Sequence, residues 1–147
     1  MYYGKSRALS DKSKEKLVYA AKTTSDASVL RLFCNLGDEL TEVKLAAAQN
    51  PYTPSDGISI LLRENSPSIL ISAINHCNTR LTDVKPLTKH PDKQVRLAAL
   101  DVMISTLHAI DPKGQEIKKY TDQKAAEIHS EIMSLNRGPF PFPKNAK

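Results

Sequence analysis

The 147-residue chain has no tryptophan, only five tyrosines and three phenylalanines. So few aromatics beside so many Leu, Ile and Ala favour helices packed on helices over a sheet sandwich. Glycine is also scarce: five residues scattered singly form no phosphate-cradling loop, and no G-x-S-x-G nucleophile elbow occurs. The two cysteines, Cys34 and Cys77, sit inside separate apolar runs and read as reduced, buried thiols. No apolar run is long enough to span a bilayer, and the opening "MYYGKSRALSDKSKEK" is too polar and basic for a signal peptide. The expectation is a protein of the cytoplasm, or of a host's cytoplasm if the chain is viral, without a membrane partner.

What is present is ordinary in amount: 40% hydrophobic and 25% charged residues. One domain of this size buries roughly 70% of its unfolded surface and needs no staple. The net charge of +5 is unevenly placed. Residues 1–16 carry five Lys/Arg against two Asp/Glu, residues 17–112 nine against ten, and residues 113–147 seven against four. The positive excess therefore belongs to the ends, and the body is close to neutral.

A repeat of 26 residues runs through that body. Leu17, Val43, Ile69 and Val95 are equivalent. Two residues on come Tyr19, Leu45, Ile71 and Leu97. The next two columns are Ala20, Ala46, Ser72, Ala98 and then Ala21, Ala47, Ala73, Ala99. Fifteen residues on come Leu32, Ile58, Val84 and Ile110. Each unit reads as a short helix, a break and a second short helix.

The second unit shows the break most clearly, in "NPYTP". Asn50 precedes Pro51 and is biased away from helical dihedrals, so a helix ends there. Thr53 is placed to cap a new helix with Pro54 at its first position, Asp56 in its first turn, and Ile58, Leu61 and Leu62 on its buried face. The small residues Ala46 and Ala47, with Ala98 and Ala99 in the fourth unit, let a neighbouring helix approach closely. The first unit offers capping residues in "TTSDAS". The third offers Asn78 or Thr82 as a cap, and Pro86 limits its second helix to a turn or an irregular segment. The fourth has no break, giving one long helix from about Asp92 to Ile110.

Units of this kind bury their apolar faces only by stacking, and the ends of a stack need caps. The residues before Leu17 form a basic N-terminal element (1–16), followed by repeats over 17–112. A capping helix (113–137) turns Ile117, Tyr120, Ile128, Ile132 and Leu135 to the stack and ends at Gly138. A Pro/Phe tail (138–147) follows. The fold expected is all-α, a short right-handed α-solenoid of about four helix-pair repeats.

"VKLAAAQNPYTP" resembles the leucine-rich repeat variant, a short helical repeat with an Asn-Pro-x-Thr-Pro break, and "DKQVRLAAL" resembles the first helix of HEAT-type repeats. The resemblance covers about residues 17–110. It implies a curved α-solenoid that binds macromolecules along one surface. The iron–sulfur cluster of some leucine-rich repeat variant proteins needs a Cys-rich N-terminal segment, and no cysteine precedes Cys34. No cofactor is expected.

Nothing in the chain spells catalysis. His76, His90, His108 and His129 make no C-x-x-C or H-E-x-x-H pattern, and Asp56, Asp83 and Asp101 are spread over three units. HEAT-like solenoids that excise alkylated purines use aromatic side chains in a basic groove, which a Trp-free, near-neutral body does not provide. The expectation is a non-catalytic module that binds a partner protein.

The rival expectation is DNA or RNA binding by a basic stripe of Lys44, Arg63, Arg80, Lys85, Lys89 and Arg96. Against it stands an architectural role for the equivalent Lys44 and Arg96, pairing with acids of neighbouring elements. In the tail, Phe140 and Phe142 alternate with Pro139, Pro141 and Pro143, an extended segment that either folds back or meets a partner. The oligomeric state is left open by the sequence.

Overall fold

A computed structural model describes residues 10–136; the tail with Phe140 and Phe142, and Gly138, lie outside them. Among the described residues the chain is all-helical, with α1 (Asp11–Thr23), α2 (Ala27–Cys34), α3 (Thr41–Gln49), α4 (Ser55–Leu61), α5 (Pro67–Ile74), α6 (Leu81–Val84), α7 (Lys93–Ile110) and α8 (Gln115–Asn136). Short 3₁₀ turns at Asp38–Leu40 and Lys85–Lys89 lead into α3 and out of α6. None of these helices is long and apolar enough to cross a membrane.

Local chemistry sets the boundaries. Ser10 caps α1 by accepting from the Ser13 N–H at 3.1 Å, and Asp26 caps α2 through Ser28 N–H at 2.9 Å. Asp92 Oδ1 accepts from both Gln94 and Val95 N–H, fixing the start of α7. Pro67 opens α5, where its missing N–H costs nothing. The N-terminal helix starts at Asp11, six residues ahead of the first repeat position.

The first helices pack in chain order: α1 on α3, α3 on α5, α5 on α7, and α7 on α8. The second helices lie alongside, α2 on α4 and α6 against α7. The alanine column lies inside the fold, with Ala21, Ala47, Ala73 and Ala99 all fully buried. Val43, Ile69 and Val95 sit one helical turn before them on the same face and are buried too. Gly57 serves the contact between α2 and α4. A Cβ there would lie 3.1 Å from the Cys34 sulfur.

Three sequence expectations are corrected. In the fifteen-on column Ile58 and Val84 are buried, but Leu32 and Ile110 are exposed. The first break (residues 24–26) is two residues shorter than the second (50–54), so α2 begins early and Leu30 takes the core place. Ile110 ends the unbroken α7, outside the core.

Thr53 does not cap α4. Pro54 stands at the cap position and the helix starts at Ser55, while the Thr53 hydroxyl donates back to the Ala47 carbonyl at 2.6 Å. A buried hydroxyl here satisfies the open end of α3 instead of the start of α4. Thr79 does the same to Ala73 in the third unit, where neither Asn78 nor Thr82 caps α6.

On α8, Ile117 and Tyr120 are buried as expected, but Ile128, Ile132 and Leu135 are exposed. α7 meets the second half of the helix at Glu127 and Glu131, and these three side chains stay open among the described residues.

Candidate partner-binding surface

The outer face of the first helices follows from helical geometry. In each unit the residue between the two buried columns is turned roughly 200° from them and must point outward. Those residues are Tyr19, Leu45, Ile71 and Leu97. Tyr19 is 69% exposed and the other three are half-buried. Leu45 and Ile71 also rest against the core, so they are held in fixed positions at the mouths of the furrows between helices.

Two cavities occupy those furrows. One, of about 790 Å³, lies between α1 and α3 and is lined by Lys14, Tyr19, Lys22, Glu42, Leu45 and Gln49 among others. The next, of about 390 Å³ between α3 and α5, includes Gln49, Pro51, Ile71 and His76. Gln49 borders both, so the furrows adjoin across the end of α3.

The same edge is stiffened by a ladder between breaks. The Asn50 amide donates to the Ala21 and Thr24 carbonyls, both at 2.8 Å. One unit later His76 Nε2 lies 2.7 Å from the Asn50 carbonyl, and the Asn78 amide donates to Thr53 O at 2.9 Å. Tyr52, between the two prolines, is 61% exposed beside this edge.

The cations proposed as a stripe are mostly engaged. Lys44 is buried and its ammonium lies 2.9 Å from Glu64. Arg96 grips Glu127 with two bonds of 2.5 and 3.0 Å and donates to the His90 and Pro91 carbonyls. Glu127 is thereby held below the usual carboxylate range by the Arg96 hydrogen bond, and Arg96 is raised in turn. Both side chains are held in ion pairs with neighbouring elements of the fold. Arg80 donates to Ser55, and Lys85 pairs with Glu116 at 3.5 Å. Arg63 and Lys89 are exposed and make no ion pair among the described residues.

The cysteines separate. Cys34 is buried, and burial followed by the nearby Asp56 charge pushes its thiol up to about 12. Asp56 itself is held low by the Arg31 hydrogen bond. Cys77 is exposed, which corrects the expectation that both are buried, because α5 ends at Ile74 before reaching it. Among the described residues no three His, Cys, Asp or Glu side chains are grouped to hold a metal ion.

Tyr19, Gln49 and Tyr52 are surface residues that the charge-based search missed. The signal for Tyr19 was present: an apolar column two residues from a buried one cannot share its face. Gln49 and Tyr52 have no such periodic signature. No protein-family model, curated protein or solved structure matches the chain.

Proposed function

We propose that the chain is a short right-handed α-solenoid of about four 26-residue units, a leucine-rich repeat variant or HEAT-like arrangement with α8 as its cap. In this reading it is a non-catalytic adaptor, regulator or inhibitor that binds a partner protein. The binding surface we assign is the furrowed face of α1, α3 and α5, with Tyr19, Leu45, Gln49 and Ile71 as contacts.

The observation that carries this reading is the outward apolar column over two adjoining furrows. Tyrosine at the centre of a contact contributes large area with few rotamers to freeze, and half-buried aliphatics hold their positions before binding. The larger furrow mixes Lys14 and Lys22 with Asp11, Glu15 and Glu42. A groove for phosphates needs an excess of cations to release counterions, and this one has none. Protein is therefore the favoured partner over DNA or RNA.

The test uses exposed residues whose replacement leaves the core alone. Wild-type protein, Tyr19→Ser, Gln49→Arg and an Arg63→Ser control are used to capture partners from the native host. A protein retained by wild type and Arg63→Ser, and lost from the two furrow variants, is the expected result. Capture indifferent to Tyr19 and Gln49 would overturn the surface. A shift of random duplex or single-stranded nucleic acid at about 50 mM salt, absent at higher salt, would favour the nucleic-acid alternative.

A further inference from the structure

The second half of α8, beside the face that meets α7 at Glu127 and Glu131, carries an apolar stripe left open among the described residues. Ile128 is 42% exposed, Ile132 51%, Met133 42% and Leu135 62%. Ile128, Ile132 and Leu135 follow the i, i+4, i+7 spacing of one helix face, so this is a continuous strip and not scattered exposure. Together these side chains leave on the order of 400 Å² open, the size at which an apolar patch on a monomer calls for an occupant.

A second copy of the chain is a poor occupant. Pairing two such stripes buries about 800 Å² in total, below the roughly 1,200 Å² at which specific, stable interfaces begin. A segment tethered beside the stripe escapes that limit, because the tether raises its effective concentration to about the millimolar range and the contact can be small.

Such a segment follows directly. Residues 137–147 continue from Asn136, next to Leu135, and read "RGPFPFPKNAK". Gly138 is the residue type that tolerates the left-handed dihedrals used in a chain reversal after a helix. In an extended proline-rich chain, at roughly 3.1 Å per residue, the spacing of Phe140 and Phe142 would be roughly 6 Å. Ile128 and Ile132 are separated along the helix by roughly the same rise, at about 1.5 Å per residue. The prolines reduce the entropy lost on docking. Arg137, Lys144 and Lys147 are the charged side chains of this segment, and beside the stripe lies Glu131, half-exposed and 3.5 Å from Lys93.

We propose that residues 138–147 fold back along α8 and cover the stripe, with Phe140 and Phe142 against Ile128, Ile132 and Met133. The tail thereby completes the cap of the helix stack. The inference is independent of the assigned binding furrow, which lies at the opposite end of the row α1, α3, α5, α7, α8.

Full-length protein, Phe140→Ser/Phe142→Ser and a chain ending at Arg137 are compared by hydrogen exchange, methyl–aromatic NMR and sedimentation. The expected result is ring-to-methyl contacts between the phenylalanines and Ile128 or Ile132 in a monomeric wild type. Amide exchange over residues 128–136 should accelerate roughly tenfold in both variants, with α1–α5 unchanged. Wild-type exchange identical to the variants, without ring contacts, would overturn the proposal and leave the stripe to a foreign partner. A concentration-dependent dimer of full-length protein that Ile132→Ser abolishes would overturn it in favour of a second copy.

Discussion

The side-chain amide of Asn50 lies 2.8 Å from the Ala21 carbonyl oxygen, joining the end of α3 to the end of α1. The same amide reaches Thr24 O, while its own oxygen accepts from the Tyr52 N–H. One buried side chain thus serves the end of α1, the break after it and its own turn. Asn50→Ala leaves these groups without partners and is expected to cost about 2–3 kcal/mol in urea denaturation. Asn50→Asp should be no better, because a carboxylate offers the two carbonyls no donor. Near wild-type stability for both would mean that water enters the seam between breaks.

Arg96 and Glu127 make the corresponding connection from α7 to α8. Glu127→Gln keeps the shape and removes the charge, and should lower stability at neutral pH by about 1–2 kcal/mol. The pH dependence has a definite sign. Glu127 titrates below its ordinary value of about 4.5 when folded, so its contribution is complete above that value and disappears as pH falls through the folded pKa. Denaturation midpoints of wild type and variant measured at falling pH should converge. A constant offset down to acid unfolding would exclude the ion pair as the cause.

Alanine spacing can be tested by overfilling it. Ala47→Leu places a larger side chain in the core cluster that joins α3 to α5 and should cost about 1–3 kcal/mol. The same exchange at exposed Ala126 on α8 is the control and should change little. Equal effects would contradict the packing order.

Cys34 and Cys77 should differ sharply toward iodoacetamide. At pH 8 the exposed Cys77 is expected to alkylate in the folded protein, whereas Cys34 waits for unfolding. Its pKa rises from 9.0 to about 12, so the unfolded thiol ionises first. Cys34 therefore contributes a loss of stability as pH rises from about 9 towards 12, and Cys34→Ala should flatten that slope. Peptide mass mapping with equal labelling of both sites would refute the burial.

Tyr120 carries the opposite kind of liability. Its ring is buried in the core, but its buried hydroxyl has no hydrogen-bond partner among the described residues. Tyr120→Phe removes an unsatisfied group and keeps the packing, so thermal unfolding should show about 1 kcal/mol of added stability. Destabilisation would reveal a partner for the hydroxyl.

Helices, breaks and the alanine column were legible because each rests on local chemistry: proline beside asparagine, and small residues at a period of 26. The single long α7 was legible for the same reason, since no breaker interrupts it. The roles of Thr53 and Leu30 were not. Whether a hydroxyl caps forward or bonds backward depends on where the preceding carbonyl lies, and two residues missing from a break shift every side chain of the helix that follows it.

The sequence by itself determined which segments are helical, where they stop and which columns are small enough for close approach. Only the tertiary structure decided which cations are occupied and which apolar residues stay outside. In the sequence Lys44 and Arg96 fit either a basic stripe or pairing with an unnamed acid, until Glu64 and Glu127, 20 and 31 residues away, arrive beside them. Ile128 and Ile132 look like core until the helix row ends at α8 and leaves them open among the described residues. A side chain's character is local; its partner is set by the packing of distant elements.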